Sequence, residues 1–156
     1  MKSRLIPYSA APAQMQAFAD FSIAIAKDGI EPSLAELIKI RVSQINGCAF
    51  CLHMHTRDAL AAGESELRIT MLACWHESPL YTDRERAALA WAEALTRLPD
   101  GGASDAVYDA MAAQFTKEEQ VKLTMTISVI NAWNRFGAGF HMVHPMPKAE
   151  PASVAA

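Results

Sequence analysis

The sequence predicts an all-α protein, a single-domain helical bundle, on three observations. Apolar residues recur at helical spacing along nearly the whole chain. No stretch of strand length shows a convincing alternation of apolar and polar residues. The chain has 156 residues, 51% of them hydrophobic, which suffices for one sizeable core but is too short for two domains. We expect the helical domain to span residues 1–144, followed by a poorly ordered tail rich in Pro and Ala at 145–156.

The first two predicted helices are separated by a glycine and a capping signal. A helix over 12–27 ends before Gly29, because glycine readily adopts the left-handed backbone conformation that closes a helix. The next helix, over 33–45, begins at Ser33 with Glu36 three residues later, which is the pattern of a capping box. The apolar face of this second helix is too wide for a surface helix, so we expect it to be central or buried at a subunit interface.

A tight turn at Asn46-Gly47 leads into the third predicted helix, over 48–62. That helix ends before Gly63, and a fourth helix covers 65–77. Because the turn is short, we expect the helices on either side of it to fold back against each other.

The last three predicted helices span 83–98, 104–114 and 117–135. The first and the last of them open on further capping boxes, formed by Thr82 with Glu85 and by Thr116 with Glu119. A Gly-Gly pair separates the first from the second. The final helix carries apolar residues around much of its circumference, so it too is expected to be central or buried between subunits.

Composition and charge exclude several classes of protein. The formal charge is −3 and the pI is near 5.9, and no dense Lys/Arg stripe is present to displace counterions, so we expect no nucleic-acid partner. No signal of secretory length opens the chain and no run approaches a membrane span, so we expect a cytoplasmic location and no membrane partner. In that reducing compartment, three cysteines do not suggest a disulfide framework, and a Cys-x-x-Cys pair is more typical of catalysis or metal binding.

The segment richest in chemistry joins Cys48-x-x-Cys51 to His55. On a helix that advances about 100° per residue, these three side chains lie near one face, a turn apart. His53 points away from that face. Two thiols and an imidazole in this arrangement are compatible with either a redox site or a metal site.

A different group is placed to activate each thiol, which attacks only as thiolate. Cys48 follows a turn and so lies near a helix N-terminus, where free amides and the dipole favour negative charge. Cys51 has His55 four residues on, the spacing at which helical side chains meet. Glu36, on the preceding helix, is expected to approach His55 and orient its imidazole. The capping box offers Glu36 a second interpretation, as the partner of Ser33 with no part in catalysis.

These residues resemble the alkyl hydroperoxidase D-like branch of the carboxymuconolactone decarboxylase superfamily. The resemblance runs through roughly residues 15–140 in helical layout, and its specificity lies in Glu36, Cys48, Cys51 and His55. It implies an all-helical bundle of that type, which assembles through helix packing into homo-oligomers such as dimers, trimers or hexamers.

The resemblance also implies a role for each residue. Cys51 matches the cysteine that peroxide oxidises to sulfenic acid, and Cys48 matches its partner thiol and proton donor. Glu36 and His55 match the proton relay. The helix dipole alone would favour Cys48 as the more acidic thiol, whereas the resemblance assigns the attack to Cys51. One position departs from the best-studied members, which carry a second histidine between the cysteines where this chain has Phe50.

We therefore expect a peroxidase, with peroxiredoxin activity, that reduces hydrogen peroxide or organic hydroperoxides through a Cys48–Cys51 dithiol–disulfide cycle. It would use no cofactor beyond its own thiols, and an external dithiol, thioredoxin-like or lipoyl reductant would reset it. Three alternatives stay open. They are a lactone enzyme of the decarboxylase branch, a zinc-binding interaction protein that adds Cys74 and His76 to the pair, and a redox sensor that oxidises without turnover.

Overall fold

The computed structural model describes residues 2–145, whose regular structure is helical throughout. The α-helices are α1 (Pro7–Ala10), α2 (Pro12–Lys27), α3 (Pro32–Asn46), α4 (Ala49–Ala61), α5 (Glu66–Met71), α6 (Asp83–Thr96), α7 (Asp105–Ala112) and α8 (Lys117–Gly139). Two short 3-10 segments cover Leu72–Glu77 and Leu98–Asp100. The predicted all-α class is confirmed. None of the helices in this part of the chain combines the length and the apolar character that a membrane crossing requires.

Every segment predicted as a helix is helical in the structure, and the differences concern the ends of helices, the division of one helix and one additional helix. The predicted helix 65–77 divides into α5 and a 3-10 segment, and the backbone leaves the helical region inside that segment, at Cys74 (φ −126°, ψ 35°). Helix α8 continues past its predicted end at 135, where Phe136 packs against Phe18 of α2 with ring centroids 6.0 Å apart. The short α1 is absent from the prediction. The predicted tail beyond Pro145 lies outside the described residues.

The predicted capping box at the start of α3 is wrong. Helix α3 begins one residue earlier than expected, at Pro32, and Glu31 occupies the cap position without a capping side-chain hydrogen bond. Proline is favoured at the first position of a helix because its missing N–H would have no partner there. Ser33 therefore lies inside the helix, and the carboxylate of Glu36 bonds elsewhere. The capping boxes predicted for α6 and α8 are both confirmed.

Helix α3 lies at the centre of the bundle and packs against α4, α6 and α8. Its side chains Leu37, Ile38, Ile40 and Val42 are fully buried and divide between two apolar clusters. Burying each such side chain stabilises the fold by about 1.5–3 kcal/mol relative to leaving it in water. The wide apolar face in the sequence thus corresponds to a central helix, as predicted.

The turn between α3 and α4 is fastened to α8. Gly47 ends α3 in the left-handed conformation, at φ 66°. The Asn46 side chain donates from Nδ2 to Oδ1 of Asn131 and of Asn134, both at 2.9 Å. Asn134 is fully buried and donates in turn to Oγ of Ser43 at 3.1 Å. The α3–α4 pair folds back as expected, and these amides hold the beginning of α4 against α8.

Candidate functional site

The two cysteines lie at the start of α4 and are almost completely buried. Cys48 is the cap residue of the helix rather than its first helical residue, and its Sγ accepts a hydrogen bond from the backbone N–H of Cys51 at 3.3 Å. The two Cα atoms are 5.5 Å apart, and the sulfur atoms are joined as a disulfide. Cys48 therefore occupies the position where the free amides of a helix favour a negative charge on sulfur.

The structure brings Glu36 and His55 together, as expected from the sequence. Nδ1 of His55 lies 2.8 Å from Oε2 of Glu36, across the packed α3–α4 pair. Both side chains are largely shielded from solvent, with 11% of His55 and 18% of Glu36 exposed. When the carboxylate is ionised it can only accept, so Nδ1 of His55 carries a proton, and in the neutral ring Nε2 is then the nitrogen without one.

Lys39 is a third member of this polar group. Its Nζ lies 2.8 Å from Oε1 of Glu36, one helical turn away on α3. Burial alone would raise the pKa of Glu36, but the hydrogen bonds from His55 and Lys39 outweigh burial and hold that pKa below its ordinary value. The carboxylate is therefore ionised at neutral pH, with each oxygen held by a different donor.

A cavity of about 580 Å³ adjoins this polar group. Most of its wall is apolar and comes from α2, α3, α4 and α8. The polar lining residues other than cysteine are Tyr8, Ser22, Glu36, Lys39, His55 and Thr126. Cys51 lines the cavity, whereas Cys48 does not. Cys51 and the Glu36–His55 pair therefore line the same cavity.

The carboxymuconolactone decarboxylase family model matches residues 11–94, more than half of the chain. The chain belongs to the carboxymuconolactone decarboxylase family. The matched segment runs from the residue before α2 into α6 and includes all four predicted site residues, Glu36, Cys48, Cys51 and His55.

Individual proteins are similar to this chain in sequence or structure over most of its length. An uncharacterised Bacillus subtilis (strain 168) protein, YdfG, is 41% identical over 135 residues, which cover 86% of this chain and 92% of the relative. An Agrobacterium tumefaciens protein of unknown function, suggested to be the antioxidant defence protein AhpD, has a crystal structure that matches with TM-score 0.91 and 40% identity, over 94% of this chain and 100% of that chain. The debrominase Bmp8 shares the fold at 22% identity and TM-score 0.79, over 88% of this chain and 74% of its own. The resemblance to the alkyl hydroperoxidase D-like branch is confirmed in family and fold.

Phe50 and His53 are the two neighbours of Cys51 whose positions bear on the site, and His53 lies off the face of the cysteines, as the sequence predicts. Phe50, where the best-studied members carry a histidine, contributes to the cavity wall and packs against the core. His53 faces away from the cavity and stacks on His144, with ring centroids 4.8 Å apart. Of the two histidines of α4, His55 therefore lines the cavity and contacts Glu36, and His53 does not line it.

Gly137 of α8 and Lys39 are site residues that sequence reasoning missed. A Cβ built on Gly137 would overlap Sγ of Cys48 and lie 3.3 Å from Sγ of Cys51. The absence of a side chain at 137 thus makes room for both sulfur atoms. The available signal was a glycine inside a continuous helical pattern, which usually has a packing reason. For Lys39 the signal was its spacing of three residues from Glu36.

The structure does not assemble the metal site that the zinc alternative requires. Within residues 2–145, no three His, Cys, Asp or Glu side chains are grouped so that they could hold a metal ion. Cys74 is exposed, and His76 stacks on Trp75 and lies 3.3 Å from Glu93 through Nε2. These side chains belong to another part of the surface and do not complete the Cys-x-x-Cys pair.

Proposed function

We propose that the protein is a thiol-dependent peroxidase that reduces hydrogen peroxide or organic hydroperoxides, with Cys51 as the attacking sulfur and Cys48 as the resolving sulfur. One observation carries the proposal: Cys51 is the cysteine that lines the cavity, and the His55–Glu36 pair lines the same cavity. The family and its antioxidant-defence relative support a peroxidase-related role.

The first step oxidises Cys51. His55 accepts the thiol proton at Nε2, since Nδ1 is engaged with Glu36. The thiolate attacks the terminal hydroxyl oxygen of the hydroperoxide, so that an S–O bond forms while the O–O bond breaks. The leaving alkoxide, or hydroxide from hydrogen peroxide, takes the proton from His55. The products are Cys51 sulfenic acid and one molecule of alcohol or water.

The second step closes the disulfide. The sulfur of Cys48 attacks the sulfur of Cys51, forming the S–S bond and breaking the S–O bond, and hydroxide leaves as water with the thiol proton of Cys48. The position of Cys48 at the cap of α4 favours its thiolate. An external dithiol, of the thioredoxin-like or lipoyl class, then supplies two electrons and two protons and regenerates the dithiol.

The experiment that tests this proposal is peroxide consumption with a dithiol donor, measured for the wild type and three variants. Cys51→Ser abolishes turnover. In a parallel assay without the dithiol donor, Cys48→Ser consumes a single equivalent of peroxide and accumulates a sulfenic acid that dimedone traps at Cys51. Cys74→Ser, at the exposed cysteine outside the cavity, retains wild-type turnover and serves as the matched control. Wild-type turnover in Cys51→Ser would refute the mechanism.

A further inference from the structure

Both oxygens of the Glu36 carboxylate are occupied, and by groups of different kinds. Oε2 lies 2.8 Å from the His55 ring, whose charge depends on its protonation. Oε1 lies 2.8 Å from the ammonium group of Lys39. Lys39 is itself largely shielded, with 21% of its side chain exposed, and it lines the cavity beside Glu36.

The charge balance of this group changes during the proposed cycle. His55 is a cation while Cys51 is a thiolate, and it becomes neutral once its proton leaves with the alkoxide. A shielded carboxylate without a positive partner is unfavourable and tends to take up a proton. Lys39 is the partner that stays positive through both halves of the cycle, and it is the only Lys or Arg among the residues described as lining the cavity.

The other charged groups around Glu36 do not substitute for Lys39. A smaller cavity of about 140 Å³ is lined by both Glu36 and Glu64. The Glu64 carboxylate accepts from Nε of Arg68 at 2.9 Å, so its charge is already compensated.

We propose that Lys39 is a positioning residue that keeps Glu36 ionised and oriented, so that His55 presents Nε2 to Cys51 in every turn of the cycle. The catalytic context rests on the proposed function. The control of the Glu36–His55 pair by Lys39 is a property of three side chains and is measurable without turnover. If Glu36 took up a proton, it would no longer fix the proton on Nδ1, and the tautomer that leaves Nε2 free would be lost.

Removing the ammonium charge of Lys39 changes the apparent pKa of the Glu36–His55 pair in a defined direction. Without Lys39, the pair retains its proton to higher pH, whether the proton resides on Glu36 or on His55, because both sites lose the same nearby positive charge. In Lys39→Met the apparent pKa of the pair therefore rises, by about one pH unit. Lys39→Arg keeps the charge and the wild-type titration.

The experiment is a pH titration of the ¹⁵N-labelled His55 ring by NMR in the reduced protein, paired with the pH profile of Cys51 alkylation by iodoacetamide. Lys122→Met is the matched control, since Lys122 also joins two carboxylates, but those of Asp28 and Glu118 are 87% and 75% exposed and lie outside the cavity. The expected result is an upward shift of both profiles in Lys39→Met, with Lys39→Arg and Lys122→Met unchanged. Melting temperature is recorded for every variant, because a merely structural role would lower it without moving the profiles.

Two results would overturn the inference: a wild-type titration in Lys39→Met, or a shift in Lys39→Arg equal to that in Lys39→Met. Both readouts are independent of peroxide turnover. A shifted titration in a protein that consumes no peroxide would leave the role of Lys39 intact and refute the proposed function alone. An active peroxidase with an unshifted titration would refute the role of Lys39 and leave the proposed function intact.

Discussion

Replacing Gly137 with alanine tests the packing of the two sulfur atoms against α8. The added Cβ would overlap Sγ of Cys48 and lie 3.3 Å from Sγ of Cys51, so the sulfurs or the helix must move. Overpacking a filled core costs about 1–3 kcal/mol. Alanine inside a helix is favoured over glycine by about 0.8–1 kcal/mol, which offsets part of that cost. We expect a net loss of up to about 2 kcal/mol, with a slower oxidation of Cys51.

Gly139→Ala is the matched control, because it lies on the same helix and a Cβ built there has nothing within 4 Å. The difference in stability between the two variants isolates the contact with the sulfurs, since both gain helix propensity. We expect the melting temperature of Gly137→Ala to lie below that of Gly139→Ala, by about 2–4 °C for each kcal/mol of difference in the free energy of unfolding. The assay is thermal unfolding followed by circular dichroism, on fully reduced and fully oxidised protein. If Gly137→Ala is as stable as Gly139→Ala in both states, the packing argument fails.

Three further predictions concern the proposed proton relay, the pH dependence of stability and the predicted assembly. Glu36→Gln removes the charge of the relay and slows oxidation of the peroxide-reactive cysteine by about 10²-fold or more in stopped-flow measurements, whereas a wild-type rate would return Glu36 to a structural role. The Thr116 backbone amide and Arg84 lower the pKa of Glu119 from 4.5 to about 2. The stabilising contribution of this carboxylate is therefore complete above pH 4.5 and is lost as the pH falls through 2. We expect Glu119→Gln to flatten the profile of melting temperature against pH across that window, and an unaltered slope would contradict this. Val121 is 59% exposed on α8. We expect Val121→Asp to lower the sedimentation coefficient of the predicted homo-oligomer without loss of helicity. An unchanged sedimentation coefficient would contradict this expectation.

Local signals in the sequence predict most of the helices because helix ends are determined locally. The capping boxes at Thr82 and Thr116 each depend on two side chains and the amides of one turn, and both form in the structure. Likewise, the Asn46-Gly47 turn depends on one residue that tolerates positive φ. The approach of Glu36 to His55 follows from the length of that turn and the spacing along two helices.

The features that the sequence did not predict depend on packing between distant segments. Gly137 matters only because α8 crosses the start of α4, which no spacing within either helix reveals. Ser33 does not cap α3 because the helix begins one residue earlier than predicted, at Pro32. The carboxylate of Glu36 therefore contacts His55 instead of the first turn of its own helix. Cys51 rather than Cys48 faces the cavity because the wall is built jointly by four helices. The helix dipole, which favoured Cys48, carries no information about access.

In the proposed mechanism, Cys51 receives the oxygen atom and Cys48 then closes the disulfide. The most direct test is mass spectrometry of the fully reduced protein after one equivalent of hydroperoxide, with all three cysteines quantified separately. We expect an intrachain Cys48–Cys51 disulfide in the wild type, and in Cys48→Ser a sulfenic acid at Cys51, with Cys74 reduced in both. Oxidation of Cys48 at the wild-type rate in Cys51→Ser would contradict the claim.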